Sequence, residues 1–189
     1  VQYFSNDVSV AAIVIELPLP NNVDAHAVLD AVDHTKDPEC LHSVNLGKFF
    51  DGTSKILHPS VATVKTILET LRVGSLEDKV AVIVGAGFLV GQPVAHWFRK
   101  QVRKIVTLRS TSTDEDRRVA LAEADIIVTG VGKSGLVTGA MIKPGAIVID
   151  FGFPADVDAK SIDKAGGIVT PTPGGTGPIL IAELFRNFY

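Results

Sequence analysis

The sequence predicts an α/β protein with a Rossmann-type, doubly wound parallel sheet and a smaller, incomplete α/β domain before it. Three observations support this fold class. After Gly74, short apolar segments alternate with amphipathic ones, the apolar segments are continuous, and a glycine-rich turn follows the first of them. Continuous apolar segments of this length are typical of strands buried on both faces of a parallel sheet.

Residues 1–73 are expected to form the smaller domain. The β-branched run Val10–Ile15 predicts a buried strand, and Asp24 predicts the cap of a short helix. The polar segment Asp33–Pro59 predicts a long loop of the kind that often carries function. A second helix is expected to start at Ser60 and to end before Gly74.

Residues 74–178 are expected to form the sheet domain, and residues 179–189 a helix that returns to the smaller domain. The predicted elements are strand Lys79–Val84, helix Gln92–Gln101, strand Lys104–Leu108, helix Asp114–Glu123, strands Asp125–Thr129, Ala146–Asp150 and Gly167–Thr170, and helix Ile179–Phe188.

Composition and charge exclude several classes of protein. With 46% hydrophobic residues and a net charge of −3, the chain can bury a core and lacks the basic excess of a nucleic-acid-binding protein. The apolar runs are too short to cross a bilayer, so we expect no membrane segment and a cytoplasmic location, with a mitochondrial one as the alternative. Cys40 is the one cysteine, and the five histidines have no regular ligand spacing, so we expect no metal site.

The chain begins with Val1 instead of methionine, and its first apolar segment follows within ten residues. We therefore expect a fragment or a processed product.

A glycine motif marks the start of the sheet domain. The segment VAVIVGAGFLVGQPVA, residues 80–95, places Gly85, Gly87 and Gly91 between a strand and a helix. This spacing lets backbone amides approach a pyrophosphate at the start of the helix, which favours dinucleotide binding over a tight turn without a ligand.

Two polar residues, Arg109 and Ser110, follow the next strand, where an NAD site usually has a carboxylate. A guanidinium and a hydroxyl suit the 2′-phosphate of NADP, so we expect NADP as the cofactor. The alternative is that Arg109 only begins a polar loop.

The segment TPTPGGTGP, residues 170–178, precedes the closing helix. Its spacing leaves two interpretations open, a rigid loop whose amides contact a planar ligand or a turn without a ligand.

The sequence resembles the methylenetetrahydrofolate dehydrogenase/methenyltetrahydrofolate cyclohydrolase family, often called FolD. The resemblance covers almost the whole chain and rests on ELPLP, KDPECLH, NLGKFF, VGAGFLVGQPVA, ADIIVTGVG, IKPGAIVIDFGF and TPTPGGTGPILIAELFRN. It implies NADP-dependent oxidation of 5,10-methylenetetrahydrofolate, hydrolysis of the methenyl product to 10-formyltetrahydrofolate, and a homodimer joined through the cofactor domain. Residues 1–73 would then be a partial folate-binding, catalytic domain.

The resemblance also implies roles for individual residues. The cofactor would be bound by Gly85, Ala86, Gly87 and Gly91 at its phosphates, Arg109 or Ser110 at its 2′-phosphate, and Phe153 near its nicotinamide. Gly174, Gly175 and Pro178 would border the folate site.

The chain departs from the family pattern at several positions. The Tyr-x-x-x-Lys helix that precedes ELPLP in the family, and carries its catalytic lysine, has no counterpart here, so hydrolysis would need a segment supplied from elsewhere. Glu16 stands in place of a glutamine, Glu39 in place of an aspartate in KDVDG, and Val61 in place of a threonine.

Glu16 and Glu39 are the candidate catalytic residues, and Glu39 is also a candidate substrate ligand. Glu39 keeps a carboxylate that could accept hydrogen bonds from a pterin, whereas Glu16 introduces a charge in place of an amide. Without the resemblance, both would be interpreted as solvated carboxylates at the edge of a loop.

Three functions remain as hypotheses. The first is an NADP-dependent methylenetetrahydrofolate dehydrogenase, with cyclohydrolase activity if the lysine-bearing segment is supplied. The second is a divergent relative that binds NADP without turnover and acts as a regulatory or complementing subunit. The third is a different Rossmann dehydrogenase, for example one acting on amino acids, against which the PGGTGP loop argues.

Overall fold

The computed structural model describes residues 1–188, which divide into two units. The first unit combines residues 1–62 with residues 180–188, and the second is continuous from Thr63 to Ile179. Both unit boundaries fall inside helices, whereas the boundaries predicted from the sequence, after residues 73 and 178, lie near the ends of those helices.

The first unit contains short helices and no strand among its described residues. Its helices are α1 (Gln2–Asn6), α2 (Ala25–Asp30), α3 (Ser43–Asp51), the beginning of α4 (Pro59–Thr70) and the larger part of α8 (Thr176–Phe188), and a 3-10 turn covers His34–Lys36. The Lys36 ammonium donates to the backbone oxygens of Ser5, at 2.6 Å, and Asp7, at 2.7 Å, which ties the end of α1 to this turn.

Two predictions for this unit are wrong. Val10–Ile15 is neither a strand nor buried, because no neighbouring strand among the described residues pairs with it. The predicted loop Asp33–Pro59 contains α3, which His42 caps through its Nδ1, an unusual capping atom. The helix ends at Asp51, and its C-cap Gly52 has a φ of 83°.

The second unit is built on a five-stranded, fully parallel sheet, which confirms the predicted fold class. Its strands are β1 (Val80–Val84), β2 (Lys104–Leu108), β3 (Ile126–Thr129), β4 (Ile147–Asp150) and β5 (Ile168–Val169), in the spatial order β2-β1-β3-β4-β5. Every residue of β1, β3 and β4 is buried, as their continuous apolar sequences predict.

Helices α5 (Gly91–Phe98), α6 (Asp114–Glu123) and α7 (Ala159–Lys164) belong to the second unit, and α8 (Thr176–Phe188) starts there. Helix α5 ends three residues before the predicted end at Gln101. After Phe98 the chain continues as a turn, in which the Gln101 amide donates to the Phe98 oxygen at 2.9 Å.

Helix α8 begins at Thr176, three residues earlier than predicted, so Pro178 lies in its first turn and not in the preceding loop. The first turn of a helix tolerates proline because its backbone nitrogen needs no intrahelical acceptor there. The sequence did not predict α7, whose N-cap Asp158 accepts a hydrogen bond from the Ser161 amide.

Candidate functional site

The strand order of the second unit fixes where a ligand can bind. The chain passes from β1 outwards to β2 and then returns to β3 on the other side of β1, so the order reverses between β1 and β3. In open parallel sheets, ligands bind in the crevice at the carboxyl ends of the strands at such a reversal. The turn after β1, which carries the glycine motif, lies at this position.

The three glycines of the motif have different structural roles. Gly85 has a φ of 98°, and a Cβ there would lie 2.8 Å from the Val131 side chain. A Cβ on Gly91 would lie 2.2 Å from the Gly85 backbone oxygen, so Gly91 allows α5 to start against the turn. A Cβ on Gly87 would meet nothing within 4 Å. Gly85 and Gly91 therefore shape the turn, whereas Gly87 faces open space.

The glycine turn also presents free hydrogen-bond donors. The backbone amides of Ala86, Gly87 and Gly91 have no acceptor among the described residues. The N-cap of α5 is Val90, whose side chain makes no capping hydrogen bond. Unpaired amides at the start of a helix attract anions, because they add to the positive end of the helix dipole.

The predicted 2′-phosphate residues lie at the end of the neighbouring strand. Arg109 and Ser110 are both exposed, and the Arg109 amide donates to Ser112 Oγ at 3.0 Å, which forms a turn directly after β2. The Arg109 guanidinium has no partner in the part of the chain that the structure describes. It is therefore free to pair with an anionic group.

Two buried aspartates organise the loops after β3 and β4. The Asp156 carboxylate accepts hydrogen bonds from the Thr129 hydroxyl and from the amides of Val131, at 2.7 Å, and Lys133, at 2.6 Å. Asp150 accepts from the amides of Gly152 and Asp156. Burial, together with the charge of Asp156, raises the pKa of Asp150. Sequence reasoning missed both residues, since their partners are recognisable only once the loops have folded.

The remaining predicted residues of this unit lie on the same edge of the sheet. Phe153 follows β4 and is 87% exposed, so its ring is available to a ligand. Gly174 has a φ of 97° and open space at its Cβ position, whereas a Cβ on Gly175 would lie 2.3 Å from the Pro171 oxygen. Pro178 is exposed in the first turn of α8.

In the first unit, the side chain of one candidate glutamate, Glu39, contacts the backbone next to the other, Glu16. The Glu39 carboxylate accepts a hydrogen bond from the Ile15 amide at 3.3 Å, and Ile15 immediately precedes Glu16. Burial, with a smaller contribution from the charge of Asp37, raises the pKa of Glu39 to about 6. Glu16 is exposed. Glu39 is therefore a positioned, partly buried carboxyl group, whereas Glu16 lies in solvent.

Asp37 holds the loop that carries Glu39, and sequence reasoning did not single it out. Its buried carboxylate accepts from the amides of Leu41 and His42 and from the Asn45 side chain, at 3.2, 2.9 and 2.9 Å. Cys40 lies inside this loop with a φ of 58°, in place of the glycine of the family's KDVDG. Burial raises the pKa of the Cys40 thiol to about 12, which argues against a nucleophilic role.

His58, also missed from the sequence, is buried just before α4. Its Nδ1 lies 2.9 Å from Ser60 Oγ, while its Nε2 has no partner among the described residues. Burial lowers the pKa of His58 to about 4, so the ring is neutral at physiological pH. Val61, which follows in α4, is fully buried and offers no polar contact.

Within residues 1–188, no helix is long and apolar enough to cross a membrane. The same residues contain no group of three or more histidine, cysteine or acidic side chains that could hold a metal ion.

Comparison with known proteins identifies the family. Residues 59–189 match the family model described as tetrahydrofolate dehydrogenase/cyclohydrolase, NAD(P)-binding domain. The chain belongs to this family. The resemblance predicted from the sequence is thus confirmed, and with it the presence of an NAD(P)-binding domain in the second unit.

Individual members of the tetrahydrofolate dehydrogenase/cyclohydrolase family match most of the chain. The bifunctional protein FolD of Staphylococcus aureus is 34% identical over 191 residues, which is 97% of this chain. The chain spans 66% of the length of that relative.

Two solved structures of family members show the same fold. The 5,10-methylenetetrahydrofolate dehydrogenase of the silkworm, Bombyx mori, is 29% identical and superposes with a TM-score of 0.89 over 99% of this chain and 69% of its own. The Trypanosoma brucei dehydrogenase-cyclohydrolase, solved with NADP and an inhibitor, is 29% identical, with a TM-score of 0.87 over 98% of this chain and 68% of its own.

Proposed function

We propose that the second unit binds NADP at the reversal between β1 and β3. The observation that carries this proposal is the open position of Gly87 beside three free backbone amides. This arrangement fits a pyrophosphate, which needs close backbone approach and unpaired donors. The unpaired Arg109 guanidinium, at the end of the adjacent strand, suits the 2′-phosphate that distinguishes NADP from NAD.

We further propose that the chain takes part in the oxidation of 5,10-methylenetetrahydrofolate to 5,10-methenyltetrahydrofolate. The silkworm and trypanosome proteins are named for this dehydrogenase activity. Glu39 supports the proposal because it is a positioned carboxyl group whose pKa of about 6 leaves it mostly ionised at pH 7. An ionised carboxylate can accept two hydrogen bonds, one from the pterin amino group and one from a ring N–H.

The reaction needs orientation more than acid–base chemistry. NADP, held by the glycine turn and Arg109, would supply the acceptor for the hydride that leaves the methylene carbon of the substrate with both electrons of the broken C–H bond. That carbon lies between two nitrogens, whose lone pairs stabilise the resulting cation. The residues of this chain are therefore proposed to orient the reactants: Glu39 the pterin, and Arg109 and the glycine turn the cofactor.

An alternative proposal is an NADP-binding protein without turnover, acting as a regulatory or complementing subunit. One observation favours it: an exposed Glu16 stands where the family has a glutamine, so it places a charged group where the family has a neutral amide.

The cofactor proposal is tested by calorimetric titration of the Arg109→Ala variant with NADP and NAD. Loss of one charge-assisted interaction should weaken NADP binding by about tenfold to a hundredfold, with little change for NAD. Arg99→Ala is the matched control, because Arg99 is also exposed but lies at the C-terminal end of α5, at the other end of this helix from the glycine turn. Equal losses for NADP and NAD would show that Arg109 does not contact the 2′-phosphate.

Substitution of Gly87 by valine tests the glycine turn. The valine side chain should occupy the space proposed for the pyrophosphate and abolish NADP binding, while the fold stays intact. Gly47→Val is the matched control, since a Cβ on Gly47 also meets nothing within 4 Å. Unchanged NADP affinity in Gly87→Val would remove this turn from the site.

Two measurements distinguish the dehydrogenase from the NADP-binding protein without turnover. One is NADPH formation from methylenetetrahydrofolate and NADP, and the other is the increase in melting temperature when NADP is added. Turnover that falls in Glu39→Gln, with an unchanged NADP affinity, supports the dehydrogenase. A thermal shift without turnover supports the non-catalytic alternative.

A further inference from the structure

The loop after β3, residues 130–136, contacts the glycine turn at both of its ends. A Cβ on Gly85, where the turn begins, would lie 2.8 Å from Val131 Cγ2. A Cβ on Gly130 would lie 3.3 Å from the Cβ of Val90, which is the N-cap of α5. The loop therefore lies against the turn both where β1 ends and where α5 begins.

Few hydrogen bonds fix the shape of the turn itself. The Gly85 amide donates to the Leu108 oxygen and the Gln92 amide donates to the Gly87 oxygen, both at 2.9 Å. The three amides proposed to bind the pyrophosphate have no acceptor among the described residues. Contacts from outside the turn therefore help to set the positions of these three amides.

The buried Asp156 carboxylate fixes the loop after β3 through its amides. Asp156 Oδ2 accepts from the Val131 amide at 2.7 Å, and Oδ1 accepts from the Lys133 amide at 2.6 Å. The Asp156 backbone oxygen accepts from the Leu136 amide, also at 2.7 Å. Because the Val131 side chain is 48% exposed, its own packing holds it only in part. The position of Val131 against the turn thus depends on its hydrogen bond to Asp156.

Asp150, at the end of β4, holds Asp156 in turn. Its carboxylate accepts from the amides of Asp156, at 3.0 Å, and Gly152, at 2.7 Å. Its backbone oxygen accepts from the Thr176 hydroxyl at 2.8 Å, where α8 begins. Hydrogen bonds therefore connect the start of α8, through the two aspartates, to the loop after β3, and all of these groups belong to the second unit.

We propose that Asp156 is a positioning residue for the cofactor, because it holds Val131 against Gly85 and so keeps the glycine turn in the shape that binds NADP. The inference rests on the proposed NADP site. Hydrogen bonds to a charged carboxylate are stronger than those to a neutral acceptor. An asparagine at this position has one acceptor oxygen, and its NH₂ group would face a donor, so it cannot replace both carboxylate oxygens.

A double-mutant cycle on NADP affinity, measured by calorimetry, tests this role. Asp156→Asn and Val131→Ala should each weaken NADP binding by about tenfold. If Asp156 acts through Val131, the double variant should bind about tenfold more weakly than the unmodified chain, whereas independent effects would multiply to about a hundredfold. Asp158→Ala is the matched control, because it removes the cap of α7 in the same unit and should leave the NADP affinity unchanged.

Amide exchange without NADP separates this inference from the proposed function. The hydrogen-bonded amides of Gly85 and Gln92 should exchange about tenfold faster in Asp156→Asn and in Val131→Ala, and at an unchanged rate in Asp158→Ala. If these rates are found but the unmodified chain does not bind NADP, the proposed function fails while the role of Asp156 in shaping the turn stands. Val131→Ala changes a half-exposed side chain, so it decides the matter if Asp156→Asn does not fold.

Two results would overturn the proposal. One is a loss of NADP affinity that is absent in the single variants or multiplies in the double variant, which would leave Asp156 with a general effect on the fold. The other is unchanged exchange at Gly85 and Gln92 in Val131→Ala, which would show that the loop after β3 does not hold the turn.

Discussion

Asp156 in the second unit and Asp37 in the first each accept three hydrogen bonds, but they organise different kinds of structure. The donors to Asp156, which are the Thr129 hydroxyl at the end of β3 and two amides just after it, lie 23 to 27 residues away in sequence. The donors to Asp37 lie only four to eight residues away. The comparison shows that a buried carboxylate fixes long-range geometry around the sheet, whereas in the first unit it closes one local loop.

Asp156→Ala is expected to have the largest effect on the free energy of unfolding. Removal of the carboxylate leaves the buried Thr129 hydroxyl and two part-buried amides without acceptors, which should lower the free energy of unfolding by about 3 to 4 kcal/mol. Urea unfolding, followed by amide exchange in β3 and β4, measures this loss. Asp156→Asn, which retains one acceptor, should lose less. A loss below about 1 kcal/mol in the alanine variant would contradict the role given to Asp156.

His58 should make the stability of the first unit fall in acid. Its pKa lies near 4 in the folded chain, below the ordinary 6.5, so the unfolded chain binds the proton first. The free energy of unfolding should therefore decrease by about 3 kcal/mol as pH falls from about 6.5 to 4, and level off below that.

Thermal unfolding across this pH range checks the prediction. His58→Asn should remove the decrease, while His34→Asn, at an exposed position, should keep it. An unchanged pH profile in His58→Asn would show that the His58 ring is not the group responsible.

Asp37→Ala is expected to cost about 2 kcal/mol, because it releases three donors of one loop but breaks no contact with the sheet. Amide exchange should speed up at Leu41 and His42 and stay unchanged in β1. Asp33→Ala, which removes an exposed cap of the neighbouring 3-10 turn, is the control and should cost about 1 kcal/mol or less. Equal changes in both units would contradict the local role of Asp37.

Glu39→Gln should produce the smallest change in the free energy of unfolding, and it should stabilise the chain at pH 7 whereas the alanine variants above destabilise it. The raised pKa of Glu39 means that the folded chain binds its proton more tightly, so stability falls as pH rises from about 4.5 to 6. The amide variant should remove this fall and gain about 1 kcal/mol at pH 7, a value reduced for solvent screening. Chemical denaturation at pH 4.5 and 7 measures the difference; an equal stability change at both values would assign it to packing instead of charge.

The sheet could be predicted from sequence because its strands carry their own signal. The continuous apolar runs at Lys79–Val84 and Ala146–Asp150 indicate burial on both faces, and the structure confirms it. Val10–Ile15 has the same composition, but a strand also needs a partner, which composition does not report. Helix α3 was missed because its cap is a histidine and Gly47 lies in its middle.

The candidate site was predictable only in part. The spacing of Gly85, Gly87 and Gly91 predicted a dinucleotide turn, yet the sequence could not show that a side chain at Gly85 is excluded, since the excluding contact comes from Val131, a residue 46 positions later. Asp156 was missed for the same reason, because its partners are distant in sequence. Arg109 and Glu39 were found through strand position and resemblance, and their roles remain predictions.

The first unit is formed by two separate stretches of the chain, and this affects the order in which its contacts form during synthesis. This unit needs both residues 1–62 and residues 180–188, and the Asn187 side chain donates to the backbone oxygens of Pro38 and Leu57. On the ribosome, the continuous second unit emerges whole before residues 180–188 are available. Residues 1–62 therefore gain their contacts with residues 180–188 only after the whole second unit has been synthesised.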